Sequence, residues 1–287
     1  MDTGLTPPWH LVHSPDMAFR RVRPHAPSRV IYSLPHSGRY YPDSFKAEAR
    51  LKGQALRASE DAYVDDMLGL APEAGVQGLV CGYARAFCDV NRDPMELDAR
   101  LIRGELPKAA LSLSARVKAG FGVIARRLSA DQDIYLQPLD MAEVNRRLEL
   151  IHAPYHAELM GLIQAARKLG PVTLIDWHSM PEAALAGLSG PKPDVVLGNL
   201  HGKSCSEALV RRVKGVLEEE GLRVGLNKPF AGGYIVERYG QPGDGVEVLQ
   251  VEINRAIYMD ETTLEPHGGL DRLRSIFASL TASLVAR

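Results

Sequence analysis

The chain has 287 residues with 34 basic and 35 acidic side chains, so its formal net charge is -1 at pH 7. It has no basic tract or acidic tail, which argues against nucleic acid and anionic membranes as partners. Hydrophobic residues make up 45% of the chain, which excludes disorder. No run approaches the ~20 apolar residues of a membrane span, and residues 1–27 lack the apolar core of a signal peptide. We therefore expect a cytoplasmic protein.

The N-terminal residues 1–28 are rich in proline and histidine and show no clear period. This composition predicts an N-terminal arm before a single domain from residue 29 to residue 287. Residues 29–34 then form a short apolar run that is typical of a buried strand. His36 stands just past this strand, although by itself a histidine in such a turn is more often a loop residue than a ligand.

An acidic cluster follows in residues 58–68, where the apolar spacing predicts a helix. Acids in a first helical turn are favoured by the helix dipole, and this is the ordinary explanation for Glu60, Asp61 and Asp65. They are also the only acidic cluster soon after His36. If His36 and a later histidine bind a metal, a carboxylate from this cluster is the natural third ligand.

Two β-type runs follow at residues 76–81 and 86–90, and the second leads into Asn91 and Arg92. Pro94 ends regular structure there, so both side chains should lie at a strand end. An arginine beside an asparagine suits a substrate carboxylate, because the guanidinium group makes two parallel hydrogen bonds with it. An ion pair between Arg92 and a neighbouring aspartate explains this stretch equally well.

The three cysteines, Cys81, Cys88 and Cys205, include no CxxC pair, so we expect neither structural disulfides nor a thiolate zinc site. A nucleophilic Cys88 would make the protein a cysteine amidase. No lysine or histidine lies close in sequence to lower the pKa of this thiol, so a small buried strand residue is the better interpretation.

Residues 97–138 are the least periodic part of the chain and can form a wall or cover of a site. The apolar positions between residues 140 and 169 recur at three and four, which predicts a long amphipathic helix bent at Pro154. His152 and His156 are four apart on it, a spacing that places two metal ligands on one face. They lack the glutamate of an HExxH motif and are better explained as packed or solvated side chains.

The stretch around which the chain is organised is an apolar run at residues 171–175, followed by Asp176, Trp177, His178 and Ser179. The run is long enough for a buried strand and too short for a helix, so we expect the polar group where the strand leaves its sheet. Ligands bind at that edge in open α/β sheets. A histidine with an acid and a hydroxyl as neighbours suits chemistry, and the alternative is a packed His178 satisfied by Asp176.

Short apolar runs and helical patterns alternate again in the last third of the chain. We expect strands at residues 193–199 and 222–226 and helices at residues 204–220 and 268–287. The Gly-rich loop at residues 227–235 lacks the glycine patterns of nucleotide phosphate and dinucleotide sites, so neither kind of site is supported. Arg238, shortly after this loop, is a candidate to line a pocket.

The last strand is predicted at residues 246–255, where alternation would send Gln250, Glu252 and Asn254 to one face. Three adjacent polar groups are costly inside a sheet unless they line a solvated site. Glu252 is therefore a candidate general base, and an ion pair with Arg255 is the alternative. Strands that alternate with helices predict an α/β fold with a largely parallel sheet.

Seven short motifs occur in the order found in the N-formylglutamate amidohydrolase family, which the chain resembles from about residue 29 to residue 259: LPHSG at 34–38, DAYVD at 61–65, DVNRDP at 89–94, DWHSM at 176–180, VLGN at 196–199, GGYI at 232–235 and QVEINR at 250–255. The resemblance implies a zinc-exopeptidase-like α/β fold of the phosphorylase/hydrolase-like type, with a mostly parallel mixed sheet flanked by helices. It also implies one catalytic metal ion, usually zinc. The implied reaction is hydrolysis of N-formyl-L-glutamate, or of a similar N-acyl amino acid, in histidine breakdown or in scavenging.

The resemblance also implies a role for each matching residue. His36 and His178 resemble the two imidazole ligands of the metal and Asp61 the carboxylate ligand, with Glu60 and Asp65 as alternatives. The other implied roles are a grip on the substrate carboxylate for Asn91 and Arg92 and the general base for Glu252. The chemistry of such a site then makes Arg85 or Arg92 a candidate for oxyanion stabilisation. Arg238 and Asn254 are candidates for further substrate contacts, and Asp176 for acceptance of an imidazole N–H, although strand alternation argues against the last. A non-catalytic binding protein for acidic amino acids is the alternative function.

Overall fold

The computed structural model describes residues 17–69, 72–111, 114–129 and 131–286. The strands in these residues are β1 Phe19–Val22, β2 Val30–Leu34, β3 Gln77–Cys81, β4 Ile102–Arg103, β5 Arg127–Ser129, β6 Gln132–Asp133, β7 Leu139–Asp140, β8 Val172–Met180, β9 Val195–Gly198, β10 Val224–Leu226 and β11 Val246–Asn254. The helices are α1 Asp43–Glu48, α2 Gln54–Arg57, α3 Val64–Met67, α4 Ala115–Ala119, α5 Met141–Arg147, α6 Ala153–Arg167, α7 Glu207–Glu219, α8 Tyr234–Tyr239 and α9 Gly269–Val285. Of these described helices, none combines the length and the apolarity that crossing a bilayer requires.

Seven strands form the central sheet in the order β1-β3-β2-β8-β11-β9-β10. The pairs β2-β3, β2-β8, β8-β11 and β9-β10 are parallel. The pairs β1-β3 and β9-β11 are antiparallel. The sheet is therefore mixed and mostly parallel with helices on its faces, as the sequence predicts.

Apolar side chains on both faces of the sheet pack against helices. On one face, Trp177 of β8 contacts Tyr32 and Phe277 edge to face, with ring centroids 5.3 and 5.0 Å apart. On the opposite face, Leu174 of β8 lies in a second core with Tyr155 of α6. Because the sheet is covered on both faces, its strands appear in the sequence as continuous apolar runs.

The central strand is longer than the sequence predicts. β8 continues to Met180 and pairs in parallel register with β11, so that Glu252 lies opposite His178. His178 therefore lies inside the strand and not beyond its end. Buried polar groups need hydrogen-bond partners, and neighbouring segments supply them to Asp176 and His178.

Residues 86–90 form a turn and not the predicted strand. The backbone amides of Phe87 and Cys88 both donate to the carbonyl of Ala84. A short apolar run does not by itself distinguish a buried strand from a buried turn. Asn91 consequently follows a turn, and the prediction that it stands at a strand end is wrong.

The helix predicted within residues 58–68 shrinks to the four residues of α3. Tyr63, just before it, has a left-handed backbone with φ of 63°, which no helix can continue through. The predicted N-terminal arm includes β1, an edge strand paired with β3, whereas residues 1–16 lie outside the described residues. The single domain predicted from residue 29 to residue 287 stays a prediction.

The long helix predicted between residues 140 and 169 is interrupted. A π-helical turn, Leu148–His152, separates α5 from α6 just before Pro154. Proline has no N–H for the helical hydrogen-bond ladder, so the ladder changes spacing on its N-terminal side.

His152 and His156 support the backbone on both sides of Asn91. His152 Nε2 donates to the carbonyl of Arg92 over 2.9 Å, and His156 Nε2 donates to the carbonyl of Val90 over 2.8 Å. Both histidines are buried, so the prediction of packed or solvated side chains is resolved in favour of packed ones.

Burial of His156 makes stability depend on pH. Burial, with the neighbouring His152, lowers the pKa of His156 to about 3. Because the unfolded chain has a pKa of about 6.5 there, stability is full above that pH and declines by up to about 1.4 kcal/mol per pH unit as the pH falls towards 3. We expect His156→Gln to flatten the dependence of the unfolding free energy on pH between 6 and 4, measured by urea titration. Parallel pH profiles for the two proteins would contradict this account.

Candidate active site

Two imidazoles and a carboxylate from distant parts of the chain meet beside β8. His178 Nδ1 lies 3.0 Å and His36 Nδ1 lies 3.4 Å from Asp61 Oδ2. The two ring centroids are 4.7 Å apart, and all three side chains are buried. The two imidazoles are therefore close enough to share an ion.

The other nitrogen of each ring donates to a carboxylate. His36 Nε2 lies 2.7 Å from Asp89 Oδ1, and His178 Nε2 lies 2.9 Å from Asp176 Oδ2. Asp176 and His178 are two residues apart on β8 and share one face, so the expectation that alternation opposes their contact is wrong. Carboxylates in this position fix the orientation and tautomer of metal-binding histidines.

With both Nε2 atoms acting as donors, the Nδ1 atoms present lone pairs towards Asp61. His36 Nδ1 is buried without a hydrogen-bond partner among the described residues. Three acceptors facing one another repel unless a cation lies among them. Two imidazoles and a carboxylate are a common ligand set of catalytic zinc sites. The residues present therefore fit a divalent ion such as zinc.

The charges around this group favour a cation. Burial would raise the pKa of Asp61, but the neighbouring imidazoles of His178 and His36 hold it well below its usual range. Burial likewise opposes protonation of His178, yet Asp176 and Asp61 raise the pKa of that imidazole well above its ordinary value. Positive charge on or beside these rings is therefore stabilised by the surrounding carboxylates.

Among the three acids of the predicted cluster, Asp61 is the one that faces the imidazoles. Glu60 pairs with Arg57 over 3.1 Å, and Asp65 pairs with Arg39 over 2.6 Å. These two acids are consequently engaged elsewhere, and the geometry favours Asp61 as the carboxylate of the group.

Glu252 reaches the same group from β11. Its Oε1 accepts from Gln250 Nε2 over 2.8 Å, and Gln250 Oε1 accepts from the backbone N–H of Gly233 over 2.7 Å. Burial raises the pKa of Glu252 to about 7, a value suited to a general base at neutral pH. Arg255 pairs with Asp61 over 3.1 Å, so it is not committed to Glu252 as the alternative supposed.

The amide of Asn91 has protein partners at both ends. Its Oδ1 accepts from the N–H of Ile235 over 2.8 Å, and its Nδ2 donates to Asp176 Oδ2 over 3.3 Å while lying 3.0 Å from His178 Nε2. A Cβ on Gly233 would lie 2.4 Å from Asn91 Nδ2, so this close approach requires glycine. Asn91 therefore orients Asp176, which in turn orients His178, and its role as a substrate ligand stays a prediction.

A cavity of about 470 Å³ opens onto these groups, a size suited to a small ligand. The polar and charged side chains in its lining are His36, Ser59, Arg85, Asp89, Asn91, Arg92, Arg116, Arg127, His178, Ser179, Gln250, Glu252 and Arg255. Arg85 and Arg92, both predicted to bind substrate, are therefore at the cavity.

Arg238 and Asn254 are not among the described residues that line this cavity. Arg238 donates through Nη1 to Tyr234 Oη over 2.8 Å on α8. Asn254 ends β11, and its Oδ1 accepts from the N–H of Ala256 over 3.1 Å at the start of a 3₁₀ turn. Asn254 is the last residue of β11, and its side chain is engaged with the following turn and not with the cavity.

Cys88 lies in the hydrophobic core and outside the cavity lining. Burial, together with Cys81 and Asp89, raises the pKa of its thiol well above the ordinary value. A thiolate nucleophile is therefore disfavoured, which argues against a cysteine amidase.

Several residues of the site belong to no pattern in the sequence. Arg116, Phe121 and Leu128 line the cavity from the stretch without periodicity, so no pattern pointed to them. Asp89 stands in the DVNRDP motif, but only the folded chain places it against His36.

The comparison with known proteins identifies the family. The sequence matches N-formylglutamate amidohydrolase over residues 28–259, most of its length. The chain belongs to the N-formylglutamate amidohydrolase family. An N-formylglutamate deformylase from Pseudomonas putida is 27% identical to it over 237 residues, 81% of this chain and 82% of that protein. One from Pseudomonas aeruginosa is 28% identical over 265 residues, 90% of this chain and 92% of that protein.

Two solved structures share the fold of this chain. The crystal structure of N-formylglutamate amidohydrolase from Ralstonia eutropha JMP134 is similar to this chain with a TM-score of 0.88 and 31% identity, covering 94% of this chain and 98% of the other. A gene product from Agrobacterium tumefaciens has a TM-score of 0.66 and 17% identity over 94% of each chain, which shows a shared fold alone.

Proposed function

We propose that this amidohydrolase hydrolyses N-formyl-L-glutamate to formate and L-glutamate in a metal-dependent reaction. The observation that carries the proposal is the convergence of His36, His178 and Asp61, with both imidazoles and the buried Glu252 in the lining of one cavity. The names of the relatives support the substrate. We further infer that the fold is zinc-exopeptidase-like, and the mostly parallel sheet supports this inference. A cytoplasmic location and a place in histidine breakdown stay predictions.

His36, His178 and Asp61 would hold the ion, and Asp89 and Asp176 would orient the two rings through their Nε2 atoms. Zinc held there would supply a Lewis acid and would lower the pKa of water from about 16 to about 7.

Glu252 would act as the general base and then as the general acid. Its carboxylate accepts a proton from the water whose oxygen attacks the formyl carbon. When the carbon–nitrogen bond breaks, the same carboxyl group returns that proton to the departing amine, which leaves formate and an amino acid. Gln250 holds the carboxylate in place through the 2.8 Å hydrogen bond to Oε1.

Two arginines would handle the negative charges of the substrate and the transition state. Burial opposes the charge of Arg85, but Asp89, Asp61 and Glu252 raise the pKa of its guanidinium, which keeps a cation available for the oxyanion. Arg92 would bind the α-carboxylate next to Asn91.

The direct test is release of formate and of free amine from N-formyl-L-glutamate by the purified protein. We expect stoichiometric formation of both products with a kcat of roughly 1–10³ s⁻¹. If neither product forms from formyl, acetyl or succinyl amino acids, while calorimetry detects binding, the non-catalytic alternative replaces the proposal.

A further inference from the structure

The cavity has more positive charge than its own carboxylates neutralise. Among the described residues, five arginines line it. Three of them pair with carboxylates: Arg85 with Asp89, Arg127 with Asp133 and Arg255 with Asp61. The other two, Arg92 and Arg116, donate only to backbone carbonyls in the part of the chain that the structure describes.

Most N–H donors of the Arg116 guanidinium are available to a ligand. It lies half-buried on α4, and its Nη2 donates to the carbonyl of Gly232 over 3.2 Å. A guanidinium has five N–H donors, so this single contact leaves most of them available. Arg92 uses its Nε on the carbonyl of Phe121 and its Nη1 on that of Asn91.

The two guanidinium groups also act on each other. Burial lowers the pKa of Arg92, and the nearby charges of Arg85 and Arg116 lower it further against the opposing effect of Asp89. An anion that contacts both guanidinium groups reduces the repulsion between these like charges in a cavity shielded from solvent. A ligand with two carboxylates would supply one to each guanidinium.

We propose that Arg116 binds the side-chain carboxylate of the substrate, so that this cavity selects dicarboxylic N-acyl amino acids over neutral ones. The inference rests on the proposed function, in which Arg92 takes the α-carboxylate. Arg116 enters from a different element, α4. Phe121, just after α4, and Leu128 of β5 also line the cavity, and these apolar groups suit the methylenes between two carboxylates.

A purely structural role for Arg116 is the competing explanation. The Gly232 carbonyl that Arg116 contacts shares a peptide bond with the N–H of Gly233. That N–H donates to Gln250, which in turn donates to Glu252. Loss of that anchor alone would impair hydrolysis of every substrate equally. A side-chain carboxylate contact would instead affect only the charged substrate.

The experiment compares kcat/KM for N-formyl-L-glutamate and N-formyl-L-glutamine in the wild type, Arg116→Met, Arg116→Lys and Lys118→Met. Lys118 is exposed on the same helix and is the matched control. We expect Arg116→Met to lower the value for the glutamate derivative about 100-fold and that for the glutamine derivative less than about threefold, because hydrogen bonds to charged groups contribute most. Arg116→Lys should restore part of the preference, and Lys118→Met should match the wild type.

Equal reductions for both substrates, or no reduction, would overturn the inference while leaving the proposed function intact. If the wild type hydrolyses neither substrate, the proposed function fails, and binding of N-acetyl-L-glutamate and N-acetyl-L-glutamine is measured by calorimetry. A preference for the glutamate derivative that Arg116→Met abolishes would then support the inference. Equal affinities in the wild type would overturn it.

Discussion

Replacing Glu252 with glutamine should lower kcat for N-formyl-L-glutamate about 10³-fold and change KM little, because a positioned general base contributes roughly 10²- to 10⁴-fold to the rate. The side chain is buried at 8% exposure, and Gln250 donates to its Oε1. Glutamine preserves the shape and an acceptor oxygen for Gln250 but cannot take a proton from water. Steady-state formate release measures kcat and KM separately.

The matched control for this variant is Glu219→Gln, an identical substitution at an exposed position near the end of α7. It should keep wild-type kinetics. A Glu252→Gln protein that retains more than about a tenth of wild-type kcat would remove Glu252 from the role of general base. A rise in KM with unchanged kcat would assign it to substrate binding instead.

Replacing Asp61 with asparagine should weaken zinc binding strongly, because Asp61 is itself a proposed ligand. Loss of a residue that only orients a ligand weakens metal binding roughly 10- to 100-fold, and we expect the loss here to be larger. The amide keeps the size of the carboxyl group but removes the negative charge that lies 3.0 Å from His178 Nδ1 and 3.4 Å from His36 Nδ1. Competition with a chromophoric chelator gives the zinc affinity of the variant and the wild type.

Asp65→Asn makes the same chemical change four residues further along, at a carboxylate paired with Arg39. We expect its zinc affinity to stay within about threefold of the wild type, since Asp65 faces a different partner. Circular dichroism establishes that both variants are folded. Wild-type zinc affinity in Asp61→Asn, or an equal loss in Asp65→Asn, would show that the ligand was assigned to the wrong acid.

The sheet could be predicted because its strands are buried on both faces. Residues 29–34 and 171–175 are short apolar runs, and residues 246–255 alternate between polar and apolar side chains. These segments became β2, the first part of β8 and β11. The same argument failed for residues 86–90, because a buried turn is as apolar as a buried strand. It also ended β8 too early, since the partners of Asp176 and His178 come from segments distant in sequence.

The candidate site followed from the sequence where a motif or the pattern of a strand indicated it. His36, His178 and Glu252 belong to motifs of the resemblance, and the fold brings them together. Arg116 belongs to none, and its position depends on how a stretch without periodicity packs over the cavity. Of the three side chains that alternation sends to one face, Gln250 and Glu252 line the cavity, whereas Asn254, the last residue of β11, accepts from Ala256 in the following turn.

The central claim is that hydrolysis depends on one ion held by His36, Asp61 and His178. The measurement that tests it most directly is a titration of chelator-stripped protein with zinc while formate release from N-formyl-L-glutamate is recorded. The account predicts no turnover in the stripped protein and a linear recovery that ends at one zinc per chain. Full turnover by protein verified as metal-free would contradict it.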